Sequence, residues 1–198
     1  MKRTSTVLAA VFAVLALAAA PATAAPSAPP AGPAIAALPA YATWIADVTE
    51  VADEAAAYLD DRLPDRSIRA AIVLDIDNTA LQTQYRPGLT SPATGPVLAV
   101  ARQARADGAA VFFVTARPQI LGLQTEANLR SAGYTVAGLY MRPWFDTRPD
   151  QKLKTDNRIA IERLGYTIVA NIGNNDSDLA GGHAERTFKL PDYDGQLG

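Results

Sequence analysis

The sequence predicts an α/β protein built on an open, mainly parallel five-stranded sheet with helices on both faces. Three observations carry this. Short apolar runs rich in β-branched or aromatic residues, Ala70–Leu74 and Ala109–Val114 foremost among five predicted strands between residues 70 and 190, have the length of buried strands. Between them lie stretches with apolar residues at helical spacing, several closed by a glycine, at Gly108, Gly133 and Gly165. Strands alternating with helices form one parallel sheet through right-handed crossovers.

The chain opens with Met1-Lys2-Arg3-Thr4, an apolar run from Val7 to Ala20, and the small residues around Pro21-Ala22-Thr23-Ala24-Ala25. That is the order of a secretory signal peptide, with cleavage expected after Ala24. A helix from Val7 to Ala20 would rise only about 21 Å, short of the ~30 Å hydrocarbon core of a bilayer. The protein is therefore expected to be secreted, without stable membrane association after cleavage. It contains no cysteine, so no lipid-modified cysteine follows the apolar run and the exported chain must be stable without disulfides, which a domain of this size can be. Residues 25–39 are rich in proline and alanine and carry no charge, as in an extended tether. Residues 40–198 are expected to form a single domain.

Within that domain an amphipathic helix is predicted from Tyr41 to Leu63, its apolar stripe containing Trp44, Val48, Val51, Ala55 and Leu59, and Pro64 ends it. The first strand is predicted over Ala70–Leu74, and a loop rich in Pro, Gly and Thr from Tyr85 to Gly95 leads to a helix over Pro96–Ala106. A strand over Ala109–Val114, a helix over Pro118–Ser131 and a strand near Val136–Met141 come next. A helix over Lys154–Leu164, a strand over Thr167–Ile172, a short helix over Asp176–Gly181 and a strand over Arg186–Leu190 close the pattern. Ligands of such sheets sit at the carboxyl ends of the strands.

Of the 198 residues, 49% are hydrophobic and 19% charged, with a net charge of -2. No stripe of Lys and Arg tracks along the chain, which argues against a nucleic-acid partner.

The residues with chemical potential gather at the predicted strand ends. Asp75 and Asp77 follow the first strand in Asp75-Ile76-Asp77-Asn78-Thr79; an Asp-x-Asp pair alone also occurs in turns and calcium loops. Val114-Thr115-Ala116-Arg117 closes the second predicted strand and puts the Thr115 hydroxyl at a helix N-terminus, where it could cap the helix or help hold an anion. Lys154 is predicted at a helix start, an unfavourable place for a cation unless an anion lies nearby; Lys152 competes for that role. Gly173-Asn174-Asn175-Asp176-Ser177-Asp178 is an oxygen-rich loop that suits Mg²⁺ and equally a turn with an Asx cap. His183, the only histidine, has no partner at metal-ligand spacing and is read as a surface or packing residue. Arg117, Arg142 and Trp144 stand at strand ends, to line a pocket or to pack loops.

In this chain order the Asp pair, the threonine, the lysine and the carboxylate loop resemble the haloacid dehalogenase (HAD) superfamily, and more narrowly its subclass IIIB secreted acid phosphatases, which include the vegetative storage proteins and class B-like enzymes. The resemblance runs from about Tyr41 to Leu190 and includes the closing Arg186-Thr187-Phe188-Lys189-Leu190-Pro191. It implies a Rossmann-like three-layer sandwich with a small or absent cap, and a phosphomonoesterase acting on a small phosphate ester. It also implies Asp75 as nucleophile, Asp77 as general acid and base, and Thr115, Ala116, Arg117 and Lys154 around the phosphate. Mg²⁺ would be held by Asp75, the Asp77 carbonyl, Asn174 and Asp178. The spacing from Lys154 to Gly165-Tyr166 is similar to the family's and favours Lys154 over Lys152. One position departs: the family usually has Asp where this chain has Asn174. On charge alone, Asn174→Asp is expected to tighten Mg²⁺ binding. The alternative reading is a non-catalytic exported protein of the same fold, for storage or for binding a phosphorylated ligand. A phosphotransferase using an alcohol acceptor is a third.

Overall fold

The computed structural model describes residues 38–198. The predicted signal peptide, residues 1–24, and all but the last two positions of the predicted tether lie outside the described residues. No helix among the described residues is long and apolar enough to cross a membrane.

Helix α1 (Tyr41–Arg62) leads into β1 (Ala70–Leu74), α2 (Gly95–Ala106), β2 (Ala110–Pro118), α3 (Gly122–Ser131) and β3 (Gly138–Arg142). Then follow α4 (Asp150–Arg163), β4 (Thr167–Gly173), the single turn α5 (Asp176–Leu179) and β5 (Arg186–Lys189). The five strands are all parallel and lie in the order β3-β2-β1-β4-β5. The chain thus builds outward from β1 in one direction and then returns to build in the other. The crevice where the order reverses, between the carboxyl ends of β1 and β4, is where open α/β sheets bind ligands.

Side chains alternate across the sheet, as the period of two requires. Ile72, Leu74, Val111 and Phe113 face the larger core, under α1 and α2 with Leu129 of α3. Ala71, Val73, Phe112 and Val114 face a smaller one under α4, against Ile161. Trp44 is fully buried and stacks on Tyr85 with ring centroids 4.5 Å apart, so the loop after β1 is pinned to α1.

Several element boundaries differ from the sequence expectation, and those of β2 and α4 each move a site residue. Strand β2 does not end at Val114. It runs on to Pro118, which pairs with Arg142. The residue before a proline is disfavoured in helical conformation, so Arg117 stays extended, a 3₁₀ turn spans Gln119–Leu121, and α3 starts only at Gly122. Thr115 therefore lies in the end of a strand rather than at a helix start. Helix α4 begins at Asp150, so Lys154 sits a full turn inside it and Asp150 occupies the first turn, where a carboxylate suits the macrodipole.

Candidate active site

The loop leaving β1 is tightly folded on itself. Asp75 N–H extends the parallel ladder by donating to Ile172 O at 3.0 Å, while Asp75 O accepts from Ala80 and Ile76 O accepts from Thr79 and Leu81. Among the described residues the Asp77 carbonyl takes no part in these loop bonds. Asn78 holds φ at 54°, a conformation that asparagine tolerates better than most residues. This turn carries Asp75, buried at the sheet edge, and Asp77, whose side chain is 43% exposed.

Lys154 crosses from α4 and donates to Asp75 Oδ1 at 2.9 Å and to Asp178 Oδ1, all three side chains being buried. Lys152 points outward and pairs with Asp156 at 3.2 Å. Two buried carboxylates thus share one ammonium. Burial pushes the Asp75 carboxyl up to about 7; the Lys154 ammonium opposes that rise and the Asp178 charge adds to it. Burial also works against the Lys154 ammonium, but the charges of Asp75 and Asp178 outweigh it and its pKa is raised.

Asp178 is held from several sides. Its Oδ2 accepts from Asn175 N–H at 2.8 Å, completing a capping box with the Asn175 side chain. Its carbonyl accepts from Arg158 Nη1 at 2.5 Å and Asn171 Nδ2 at 2.9 Å. Arg158, fully buried, also donates to the carbonyls of Ala180 and Gly182. At Gly173 any Cβ would collide with the Asp178 side chain, so only glycine fits there. Both Asp178 oxygens are engaged within the protein, and the residue orients Lys154.

At the other side of the crevice Arg117 donates to both Asp77 oxygens, from Nε at 2.9 Å and from Nη2 at 2.7 Å, and Nη1 reaches Thr125 Oγ1 at 3.4 Å. Thr115 is buried, its hydroxyl accepting from Arg117 N–H at 3.2 Å. Asn174 is fully buried; its Oδ1 accepts from Thr79 Oγ1 at 3.1 Å and its Nδ2 donates to Leu197 O at 2.8 Å.

The expected residues of β1, β2, α4 and β4 thus converge on one sheet edge. Among the described residues no group of three or more His, Cys, Asp or Glu is placed to hold a metal ion. The donor set still suits Mg²⁺ in kind, because that ion takes one or two carboxylates and completes its shell with neutral oxygens, water and substrate phosphate. Asp75 Oδ2 accepts no hydrogen bond among the described side chains. The Asp77 carbonyl and the Asn174 carboxamide oxygen are hard neutral donors. Lys154 lies between the two buried carboxylates, and the buried Arg158 guanidinium lies on the Asp178 side.

Arg142 and Trp144 separate in role. Arg142 donates to the carbonyls of Asp146 and Arg148 and pairs with Asp150, packing the loop before α4. Trp144 is exposed and, with Ile120 and Phe145, lines a cavity of about 220 Å³ beside the ends of β2 and β3. His183 is a surface residue 2.6 Å from Glu162 Oε2. Lys189, quoted in the sequence only as part of the closing motif, donates to the Asn174 carbonyl and to Asp192 at 2.7 Å. An exposed lysine and a strand-end lysine read alike in a sequence, and only the return of the chain after β5 distinguishes them.

A family profile described as HAD superfamily, subfamily IIIB (Acid phosphatase) matches residues 88–196. Two soybean (Glycine max) proteins, the stem 28 kDa and stem 31 kDa glycoproteins, are each 42% identical over 89 residues, 42% of this chain. The match covers 35% and 31% of those proteins, so the chain spans about a third of the length of these curated relatives. The class C acid phosphatase from Bacillus anthracis superposes with a TM-score of 0.65 at 16% identity, over 78% of this chain and 80% of that one, a likeness of fold.

Proposed function

The chain belongs to the HAD superfamily, subfamily IIIB (acid phosphatase), and from that membership we propose that it hydrolyses small phosphomonoesters through a phosphoryl group carried on Asp75. The observation that carries the proposal is the buried ion pair of Asp75 with Lys154, at 2.9 Å, at the point where the strand order reverses. A carboxylate and a phosphate charge 4 Å apart repel by about 4 kcal/mol at an effective dielectric near 20, so a nucleophilic carboxylate requires positive charge beside it. Lys154 supplies part of it.

In the proposed reaction an oxygen of Asp75 attacks phosphorus in line, and the ester P–O bond breaks. Asp77 gives its proton to the departing alcohol oxygen, then takes a proton from a water molecule as that water attacks the phosphorus. The Asp75–phosphorus bond breaks, and inorganic phosphate and both carboxyl groups are regenerated. Thr115 Oγ1, the N–H of Ala116 and the Arg117 guanidinium take phosphoryl oxygens. Mg²⁺ held by Asp75, the Asp77 carbonyl and Asn174 would neutralise phosphate charge and act as a Lewis acid. Asp178 serves as the group that positions Lys154.

We further propose that residues 1–24 direct export, that residues 25–39 are a tether, and that residues 40–198 are the secreted phosphatase domain. The exposed carboxylate of Asp77 and the short loop after it favour an open site that admits small esters. Hydrolysis of 4-nitrophenyl phosphate by the purified protein, with and without a chelator, tests the function. Release of nitrophenol that stops with chelator and returns with Mg²⁺ is expected; no release under any metal condition would reject the enzyme reading.

A further inference from the structure

After β5 the chain turns back over the site. Leu190 N–H donates to Gly173 O at 2.9 Å, and Leu197 N–H donates to Asp192 O at 3.1 Å. Tyr193 donates its hydroxyl to Asp47 at 2.6 Å, tying this segment to α1, and the Leu197 side chain is buried in the larger core. The Leu197 carbonyl then receives two side-chain amides, Asn78 Nδ2 at 2.9 Å and Asn174 Nδ2 at 2.8 Å. A main-chain carbonyl has two lone pairs, so both are used. Asn78 belongs to the loop carrying Asp75 and Asp77, and Asn174 to the loop after β4. One carbonyl oxygen therefore joins the two loops that face each other across the crevice.

The direction of each carboxamide follows from its partners. A carbonyl can only accept, so both NH₂ groups face Leu197. Asn78 Oδ1 accepts from Gln84 N–H at 2.8 Å and from Thr83 Oγ1 at 3.2 Å. Asn174 Oδ1 accepts from Thr79 Oγ1 at 3.1 Å and from Asn175 Nδ2 at 3.4 Å. Both asparagines are buried, so bulk water does not compete for these bonds.

We infer that Leu190–Leu197 is a strap that positions the active site, and that position 174 carries an amide because the Leu197 carbonyl requires a donor there. Aspartate has nearly the same shape, so the exchange changes one thing: an NH₂ becomes a carboxylate oxygen 2.8 Å from a carbonyl oxygen, out of water. That contact is repulsive and the new charge is out of water, with the Thr79 hydroxyl and the Asn175 amide left on its other oxygen. The expectation from charge alone is thereby reversed. Asn174→Asp releases the strap, turns the side chain, and loosens the cation site that a carboxylate would otherwise strengthen. Only the cation arm of the argument rests on the phosphatase reading.

The test compares the natural chain with Asn174→Asp and with the milder Asn174→Ala, which removes the donor without adding a charge. Hydrogen exchange is followed by mass spectrometry in peptides from residues 76–84 and 190–197, with β3 as internal reference. In Asn174→Asp, exchange in both segments is expected to accelerate at least tenfold while β3 is unchanged, and the Tm to fall by roughly 10 °C. Asn174→Ala shifts both in the same direction by less, and remains measurable if the aspartate variant does not fold. Titration calorimetry with Mg²⁺ alone, without substrate, is expected to show weaker binding by Asn174→Asp than by the natural chain. Unchanged exchange and Tm in both variants, or tighter Mg²⁺ binding by Asn174→Asp, would overturn the strap. If the natural chain hydrolyses no ester while exchange and Tm shift as described, the phosphatase reading fails alone and the strap stands.

Discussion

Arg117 grips both carboxylate oxygens of Asp77, at 2.9 and 2.7 Å, across the mouth of the crevice. The pair joins the proposed acid and base to a cation that a phosphate would also attract. Because the Asp77 side chain is 43% exposed, the contact contributes little to stability. In the proposed reaction it would orient the carboxylate and hold a forked donor for phosphoryl oxygens.

Arg117→Gln is therefore expected to lower kcat/KM by at least about tenfold, about 1.4 kcal/mol, with little change in Tm. Arg117→Lys restores only part of the loss, because an ammonium cannot make the forked contact. Steady-state kinetics and thermal unfolding of both variants check this.

Lys154 has the opposite balance, since it is buried between two carboxylates. Lys154→Met removes the ammonium that Asp75 and Asp178 share and is expected to destabilise the fold by about 3–5 kcal/mol as well as abolish turnover. Urea unfolding near neutral pH measures the first effect. Lys152→Met, at an exposed pair, is the control and should change neither.

Stability should also depend on pH through Asp75. Its carboxyl is raised by burial from 3.8 to about 7, so the folded chain holds this proton more tightly than the unfolded chain does. The contribution is fully present below about pH 4 and is lost as pH rises through about 7. In the presence of chelator, stability is expected to fall across that window. Asp75→Asn should flatten the slope, and urea denaturation of both proteins over that range compares them.

Most of the fold could be read from the sequence because the central strands β1, β2 and β4 are short, largely apolar runs whose alternation matches two unequal cores. Site residues could be read where they end a strand: Asp75, Thr115 and Gly173 follow from that rule. What escaped depends on contacts distant in sequence. The 3₁₀ turn after Pro118 moved Thr115 off a helix start, and α4 began four residues before Lys154. The bonds from Asn78 and Asn174 to Leu197 span 119 and 23 residues, and no local pattern announces them. Charge at position 174 suggested a defective ligand, whereas its partner explains why it is an amide.

Export makes a separate claim. If cleavage follows Ala24, mass spectrometry of protein recovered from culture medium should find a chain beginning at Ala25. Recovery only in membranes, with Met1 to Ala20 retained, would contradict the secreted reading.

The central claim is that Asp75 carries the phosphoryl group, and trapping it is the most direct measurement. Asp77→Asn removes the group that activates water but leaves the nucleophile, so after exposure to a phosphomonoester and Mg²⁺ an acid-quenched sample should retain phosphate. Peptide mapping should place that phosphate on Asp75, and Asp75→Asn, folded by circular dichroism, should neither trap phosphate nor turn over. Near-normal turnover by Asp75→Asn, or phosphate mapped to any other residue, would contradict the account.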